Sequence, residues 1–446
     1  MDWDSHRYLE CFFAVPMMGA VLHTVNVRIS PEQVLYTINH AADDVILVNA
    51  EFLPLLEAIH AKIRPGVKLV LINDGGCEAA KRRFHSQPST RPMLGRAKPS
   101  FAFPDARRGH PRDDLLHDGH HGTAEGRLLQ PSPAGAAHAG RDRGASRTRR
   151  TRRFTARDVY MPITPMFHVH AWGLPYVATM LGVKQVYPGR YVPDTLLSLI
   201  DREKVTFSHC VPTILQMMLA SPAVANVDLG AMESDHRRLR AAAAARRAAV
   251  DRGIDIIAGY GMSETCPILT LAHLTPQLFE AMPAAESLPY RCKAGRPIPF
   301  VQLRIVDEAM NDVAHDGTSQ GEIVVRSPWL TQGYLGEPAR SEELWHGGWL
   351  HTGDIGTIDQ HGYVKIVDRL KDVVKTGGEW VSSLDLEDII LRAPGVGEVA
   401  VVGIPDDRWG ERPVALVVVK PGVASPTQDA ICQHVQDYVQ RGVISK

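Results

Sequence analysis

Between residues 103 and 153 this 446-residue sequence has no isoleucine, valine, methionine, tyrosine or tryptophan. Arg, His, Gly, Ala and Pro fill the stretch, and residues 231–249 are Arg- and Ala-rich in the same way. Segments of that composition lack the side chains whose burial offsets ordering entropy, so both are expected to be unstructured. Other absences narrow the class. None of the six cysteines (Cys11, Cys77, Cys210, Cys266, Cys292, Cys432) forms a C-x-x-C pair. Zinc and redox motifs are thereby set aside, and a reducing compartment fits best. The start, Met1 to His6, is acidic and polar, so no signal peptide is expected and a cytoplasmic protein is. The most apolar run, Cys11 to Val25, contains Pro16 and His23 and is too short to span a bilayer. Neither sign of charge prevails: 49 Lys+Arg face 50 Asp+Glu, a net charge of -1. No global pull toward nucleic acid follows, and no nucleic-acid partner is expected. No Ser/Thr/Gly-Lys phosphate loop is written anywhere in the chain.

What is present is ordinary globular material, 44% hydrophobic and 22% charged, enough for more than one domain. Ser30-Pro31-Glu32 carries the signature of a helix start, with Ser30 as N-cap and Pro31 in the first turn. Asp44–Asn49 and Val67–Ile72 are continuous apolar strand candidates between helical stretches, a parallel α/β pattern that resumes over Val159–Leu219. From residue 300 the texture changes. Val301–Val306 and Gly321–Arg326 alternate between Gly and Asp turns, which predicts antiparallel strands and a β-barrel portion. After Lys371 a smaller α+β pattern follows, with a helix over Ser383–Leu391 and strands over Glu398–Val402 and Val414–Val419. The expected fold is therefore α/β. A large N-terminal domain (1–369) holds parallel α/β sheets and a barrel portion. A smaller α+β C-terminal domain (370–446) follows, with the boundary near Asp368–Lys371.

Three polar clusters carry chemistry, each beside an apolar run: Gly259-Tyr-Gly-Met-Ser-Glu-Thr265, Trp349-Leu-His-Thr-Gly-Asp354 and Asp368-Arg-Leu-Lys371. Tyr260 can stack on a purine. Gly261 allows close backbone approach to a nucleotide. Glu264 offers a hard oxygen to Mg²⁺, and Thr265 can donate to a phosphate. Asp354 can accept both protons of a ribose diol. Each string alone also reads as a capped turn. Two further readings, a nucleic-acid-binding tract at Arg141–Arg153 and a metal cluster at His110, His117, His120 and His121, find no supporting pattern.

Together and in this order, the strings resemble the adenylate-forming superfamily, and within it the fatty acyl-CoA synthetases. The resemblance runs over the whole chain apart from the two aberrant segments. It implies ATP, Mg²⁺ and coenzyme A as ligands and a medium- or long-chain fatty acid as substrate, joined to coenzyme A through an acyl-adenylate. It places Tyr260, Gly261, Met262, Ser263, Asp354 and Arg369 around the nucleotide, with Glu264 also the metal ligand. Glu264, Thr265, His168 and Lys371 serve the chemistry, Lys371 as the hinge between two orientations of the small domain. Pro165-Met-Phe-His-Val-His-Ala-Trp-Gly173 resembles the acyl-pocket segment, with His168 orienting the carboxylate and Trp172 gating the acyl tunnel. Lys375, Gly377, Gly378 and Trp380 fall near the thiol-transfer tunnel. Peripheral membrane contact and a homodimer are both compatible with the resemblance. A non-catalytic remnant that binds acyl chains or nucleotides, and an enzyme of another branch using aryl acids, are the alternatives.

The departures fall on the ATP-handling segments. The chain starts inside a family motif and ends at Gly442–Lys446, before the family's P-K-T-x-x-G-K segment, so truncation at both ends is expected. Codons can be chosen for Asp114–Arg127 that, entered one nucleotide later, read T-F-Y-T-T-G-T-T-G-L-P-K-G-V, similar to the family's phosphate loop. The same shift over Met232–Ala242 can read W-K-V-I-I-G-G-S-A-L-P, similar to its adenine-side loop. The expectation is a frame-shifted translation, which the gene sequence decides.

Overall fold

The structure, a computed structural model, describes residues 1–72, 113–118, 124–129, 154–229, 233–237, 248–275, 278, 284–376 and 379–440. Helix α1 (His6–Met17) opens on Ser5, whose Oγ accepts the Tyr8 N–H at 3.3 Å. Strand β1 (Leu22–His23) follows. Helix α2 (Pro31–Ala41) starts as expected: Ser30 and Gln33 form a reciprocal capping box and Pro31 sits in the first turn. Strands β2 (Val45–Asn49) and β3 (Lys68–Ile72) pair in parallel, within a residue of the expected spans. Val34, Ile38, Val48 and Leu56 form the core between them.

Strands β4 (Asp113–Asp118) and β5 (Ala124–Leu129) pair antiparallel as a hairpin. The expectation of an unstructured 103–153 therefore fails over these residues. Backbone ladders, with β1 on one side and β15 (Gly333–Tyr334) on the other, supply pairing that does not depend on side-chain composition. The basic tract 141–153, His110, His120 and His121 lie outside the described residues.

The largest sheet has seven strands in the order β12-β11-β10-β9-β8-β6-β7. From β6 (Val159–Ile163) and β7 (Lys184–Gln185) through β8 (Phe207–Cys210) and β9 (Glu233–Arg237) to β10 (Asp255–Gly261) the pairing is parallel. Strands β11 (Ile268–Leu271) and β12 (Arg296–Pro297) continue it antiparallel. Helices over Leu174–Met180 (α3), Pro193–Glu203 (α4) and Pro212–Ala220 (α5) make the crossovers. Met161, Leu196, Leu197 and Ile256 are the centre of the core beneath. The place of β9 is at odds with its letters. Glu233-Ser-Asp-His-Arg237 runs between β8 and β10, strands that are almost wholly buried. A central parallel strand covered on both faces normally reads as a hydrophobic run. With codons chosen as above and entered one nucleotide later, the same five positions can read K-V-I-I-G.

A four-stranded antiparallel sheet follows, β13 (Gln302–Val306), β14 (Gly321–Arg326), β16 (Leu350–Ile358) and β17 (Val364–Arg369), in sequence order. Its antiparallel character is as expected, but β13 and β17 are its open edges. No closed barrel forms among the described residues, since closure needs the first and last strands to pair. The chain then leaves this sheet through residues 370–373. It enters a separate one, β18 (Val374–Thr376), β19 (Glu379–Val381), β20 (Val396–Asp406) and β21 (Gly410–Val419), in the order β19-β18-β21-β20. Helix α6 (Ser383–Leu391) packs on it through Leu386 and Ile390 against Val401, and helix α7 (Gln428–Gln440) adds Ile431 and Val435 to that cluster. Asp368, at the end of β17, ties the two parts: its Oδ2 accepts the Ser383 N–H at 2.6 Å and the Ser383 hydroxyl at 2.8 Å.

Candidate active site

The parallel strands β6 and β10 deliver their chain-forward ends to one edge of the large sheet, the edge where open α/β sheets bind ligands. Gly259–Thr265 is the turn leaving β10. Met262 is extended, Ser263–Thr265 make one tight helical turn, and Cys266 adopts a left-handed conformation (φ 51°) that sends the chain back along β11. Thr265 is the knot of this turn. Its Oγ1 accepts the Met262 N–H at 2.9 Å and donates to the Pro267 carbonyl at 2.6 Å. The expected phosphate contact is thus not what the Thr265 hydroxyl makes here, because its single proton is committed to the protein. The protein itself requires glycine at Gly261: a Cβ there would stand 1.8 Å from the Pro267 carbonyl oxygen. Ser263 differs. Its Oγ is buried and has no hydrogen-bond partner among the described residues, a cost that a bound polar ligand would remove.

Glu264 is 3% exposed, and its Oε1 accepts the Tyr334 hydroxyl at 3.0 Å. Tyr334 sits on β15, so the Glu264 carboxylate is held by the sheet that carries the β4–β5 hairpin, and β5 runs beside the Ser263–Thr265 turn. Among the described residues no group of three or more His, Cys, Asp and Glu side chains gathers as a metal site. One buried carboxylate beside an unsatisfied hydroxyl still fits Mg²⁺, which takes few protein ligands and completes its octahedron with water and substrate phosphates.

Tyr260 connects this turn to the second cluster. It is 6% exposed, and its hydroxyl donates to Asp354 Oδ2 at 2.6 Å. Asp354 and Arg369 face each other across β16 and β17, with Arg369 Nε 3.8 Å from Asp354 Oδ1. Tyr260, Asp354 and Arg369 therefore form one connected group from strands that are 94 or more residues apart at the Tyr260–Asp354 link.

The acyl-segment candidates follow β6. Val169 to Trp172 have φ of 48°, 51°, 48° and 60°, and Gly173 continues at 73°. That is a left-handed turn, which costs an L-residue roughly 1–2 kcal/mol each. His168 precedes it, half-buried, with its ring 6.0 Å from that of Trp172. Val169 packs against Cys266, so this segment and the Gly259–Thr265 turn meet. His170, stacked on Phe12 at 4.6 Å, is driven down to a pKa of about 4 by burial.

The remaining candidates are not gathered here. Lys371 is exposed in the turn after β17. Lys375 Nζ lies 3.2 Å from Glu308 Oε1 and 5.5 Å from the Trp380 ring centre. Trp380 packs against the core of Ile355, Val367 and Val373. Gly377 and Gly378 lie outside the described residues. Tyr334, which holds Glu264, has no sequence signal of its own; the pairing of β15 with β5 and the Thr331 N–H, which donates to the Glu264 carbonyl at 2.9 Å, bring it near.

Comparison with known proteins places the chain in a family. The AMP-binding enzyme family matches residues 133–335, and its C-terminal domain matches residues 385–444. The Thermus thermophilus long-chain-fatty-acid–CoA ligase is 36% identical over 444 residues, covering 98% of this chain and 78% of that protein. The 3-methylmercaptopropionyl-CoA ligase of Ruegeria pomeroyi is 36% identical over 96% of this chain and 78% of its own length. For the medium-chain-fatty-acid–CoA ligase of Ectopseudomonas oleovorans the identity is 32%, over 98% and 79%. Among solved structures, the anthranilate CoA ligase AuaEII bound to anthranoyl-AMP superposes with a TM-score of 0.78 at 24% identity, covering 99% of this chain and 80% of that one. The chain belongs to the AMP-binding, adenylate-forming enzymes. Within them it is an acid–thiol ligase, a class that works with ATP, Mg²⁺ and coenzyme A. No helix among the described residues is long and apolar enough to cross a membrane.

Proposed function

We propose that the chain derives from an enzyme joining a medium- or long-chain fatty acid to coenzyme A through an acyl-adenylate, and that it is impaired as written. The observation that carries this reading is the contact of the acyl segment with the nucleotide turn, Val169 against Cys266. A carboxylate held near His168 and a nucleotide held by Tyr260, Asp354 and Arg369 would then share one pocket edge. Attack by the carboxylate on the α-phosphorus of ATP forms the acyl-phosphate bond and releases pyrophosphate. The protein's part is to align the two and offset developing charge. Ser263 and Glu264 would hold Mg²⁺, which supplies charge neutralisation at the phosphates. Asp354, oriented by the Tyr260 hydroxyl, accepts from the ribose, and Arg369 lies beside it. Coenzyme A then displaces AMP, with Lys371 as the hinge between the two half-reactions and 1–369 and 370–446 as the moving parts.

Impairment is read from the sequence. Positions 119–123 carry Gly-His-His-Gly-Thr where a shifted frame can give G-T-T-G-L, and a Lys for the phosphate loop is available only in such a shifted reading. The charged letters of β9 in a central strand favour the same shift. The test is acyl-CoA formation from palmitate, ATP and coenzyme A by two chains. One is as written; the other carries the shifted letters at 114–127 and 232–242. The written chain is expected to fall below about 1 per second, the low end of ordinary enzymes, and the restored one to rise toward it. Turnover by the written chain at that rate would refute the impairment. Failure in pyrophosphate exchange of a restored chain that is also completed at both ends would sink the frame-shift reading. Glu264→Gln in the restored chain should abolish exchange while sparing acyl binding.

A further inference from the structure

Asp4 is 5% exposed and lies far along the chain from every motif singled out in the sequence. Its Oδ1 accepts the Met166 N–H at 2.9 Å, and its Oδ2 accepts the Tyr191 hydroxyl. Its own carbonyl accepts the Gly189 N–H at 2.9 Å. One residue thus fastens the start of the acyl segment, Met166, to the turn after β7. A second bond nearby points the same way: Thr24 Oγ1, 1% exposed, donates to the Phe167 carbonyl at 2.8 Å. Arg28 closes the knot, its guanidinium 5.8 Å from the Phe167 ring centre and 5.4 Å from that of Tyr191. These bonds sit immediately before the left-handed turn Val169–Gly173, a conformation that persists only where its surroundings hold it.

Resting on the acyl-binding reading of residues 165–173, we infer that Asp4 is a positioning residue for that segment. Its ionised carboxylate clamps Met166 and thereby sets the affinity for the acyl chain. The carboxylate is the stronger clamp, because a hydrogen bond to an ionised acceptor is roughly twice as strong as a neutral one. Protonation loosens it. The charged and titratable groups facing Asp4 are Asp2 on its own segment, Tyr8 on α1, Arg28 after β1, and Tyr187 and Tyr191 after β7. Burial pushes Asp4 up to about 7, while Tyr191, the Met166 N–H and Arg28 pull it back down. The switch therefore lies in the neutral range.

The test has two readouts, neither needing turnover. Hydrogen exchange of the 165–173 peptide, corrected for intrinsic rates, should slow as pH rises through about 7. Affinity for the fluorescent fatty acid cis-parinaric acid should rise over the same interval. Asp4→Asn, which keeps shape and cannot ionise, should flatten both curves. Tyr191→Phe removes a donor to the carboxylate and should move the midpoint to higher pH, so an unfolded Asp4→Asn leaves the inference open to refutation. An unchanged midpoint in Tyr191→Phe, or an unchanged pH response in Asp4→Asn, would overturn the clamp. An exchange response without any binding of the probe would support the clamp and overturn the acyl reading beneath it.

Discussion

Replacing Tyr260 by Phe removes one oxygen and little else. That oxygen donates to Asp354 Oδ2 at 2.6 Å, and both residues are 6% exposed. A buried hydrogen bond to a charged group contributes roughly 1.5–3 kcal/mol, and a partner left behind carries its desolvation cost. Tyr260→Phe should therefore destabilise the fold by about 2 kcal/mol and turn the Asp354 carboxylate away from its working orientation. Asp354→Ala should cost at least as much, because it removes the acceptor at 2.6 Å from the Tyr260 hydroxyl beside the core cluster of Leu269, Ile305 and Val364. The two changes share one bond, so the double variant should cost less than their sum, with a coupling of roughly 1.5 kcal/mol or more. Urea unfolding of the parent, both single variants and the double variant measures the coupling. Calorimetric titration with AMP should show affinity falling about tenfold in Tyr260→Phe, the equivalent of 1.4 kcal/mol. Coupling below about 0.5 kcal/mol, where independent sites simply add, would refute the claim that Tyr260 orients Asp354.

Gly261→Ala puts a methyl 1.8 Å from the Pro267 carbonyl; it should lower stability by roughly 3 kcal/mol, and an unchanged urea midpoint would show the turn to be looser than described. Asp4 titrates higher in the folded chain, at about 7 against 3.8, so its contribution is full below pH 3.8 and lost as pH rises through 7. That amounts to roughly 4 kcal/mol. Asp4→Asn should remove this slope from a series of unfolding curves, and an identical slope in both proteins would refute it. In a restored chain, Lys371→Pro should spare pyrophosphate exchange and cripple transfer to coenzyme A from preformed adenylate; equal loss of both would remove Lys371 from the hinge.

Much of this protein was legible in one dimension. Local chemistry defines the Ser30 cap, the strands at Asp44–Asn49 and Val67–Ile72, and the alternating strands after residue 300, since each depends on neighbours within a few residues. The strings Gly259–Thr265, Trp349–Asp354 and Asp368–Lys371 marked the family for the same reason: their spacing is local. The pattern could not tell an open four-stranded sheet from a barrel, because closure is a property of the two edge strands and not of any strand's alternation. Composition likewise missed the hairpin at Asp113–Leu129, whose ladders with β1 and β15 are made by backbone groups that every residue carries. Roles within the motifs were decided only in three dimensions. Thr265 and Gly261 turn inward to Pro267, while the buried hydroxyl of Ser263, two residues from each, meets no hydrogen-bond partner among the described residues. Tyr334 reaches Glu264 across 70 residues, and Asp4 reaches Met166 across 162. Such bonds arise where the sheets bring distant backbones together, and a hydrogen bond's demand for about 3 Å leaves no trace in sequence separation.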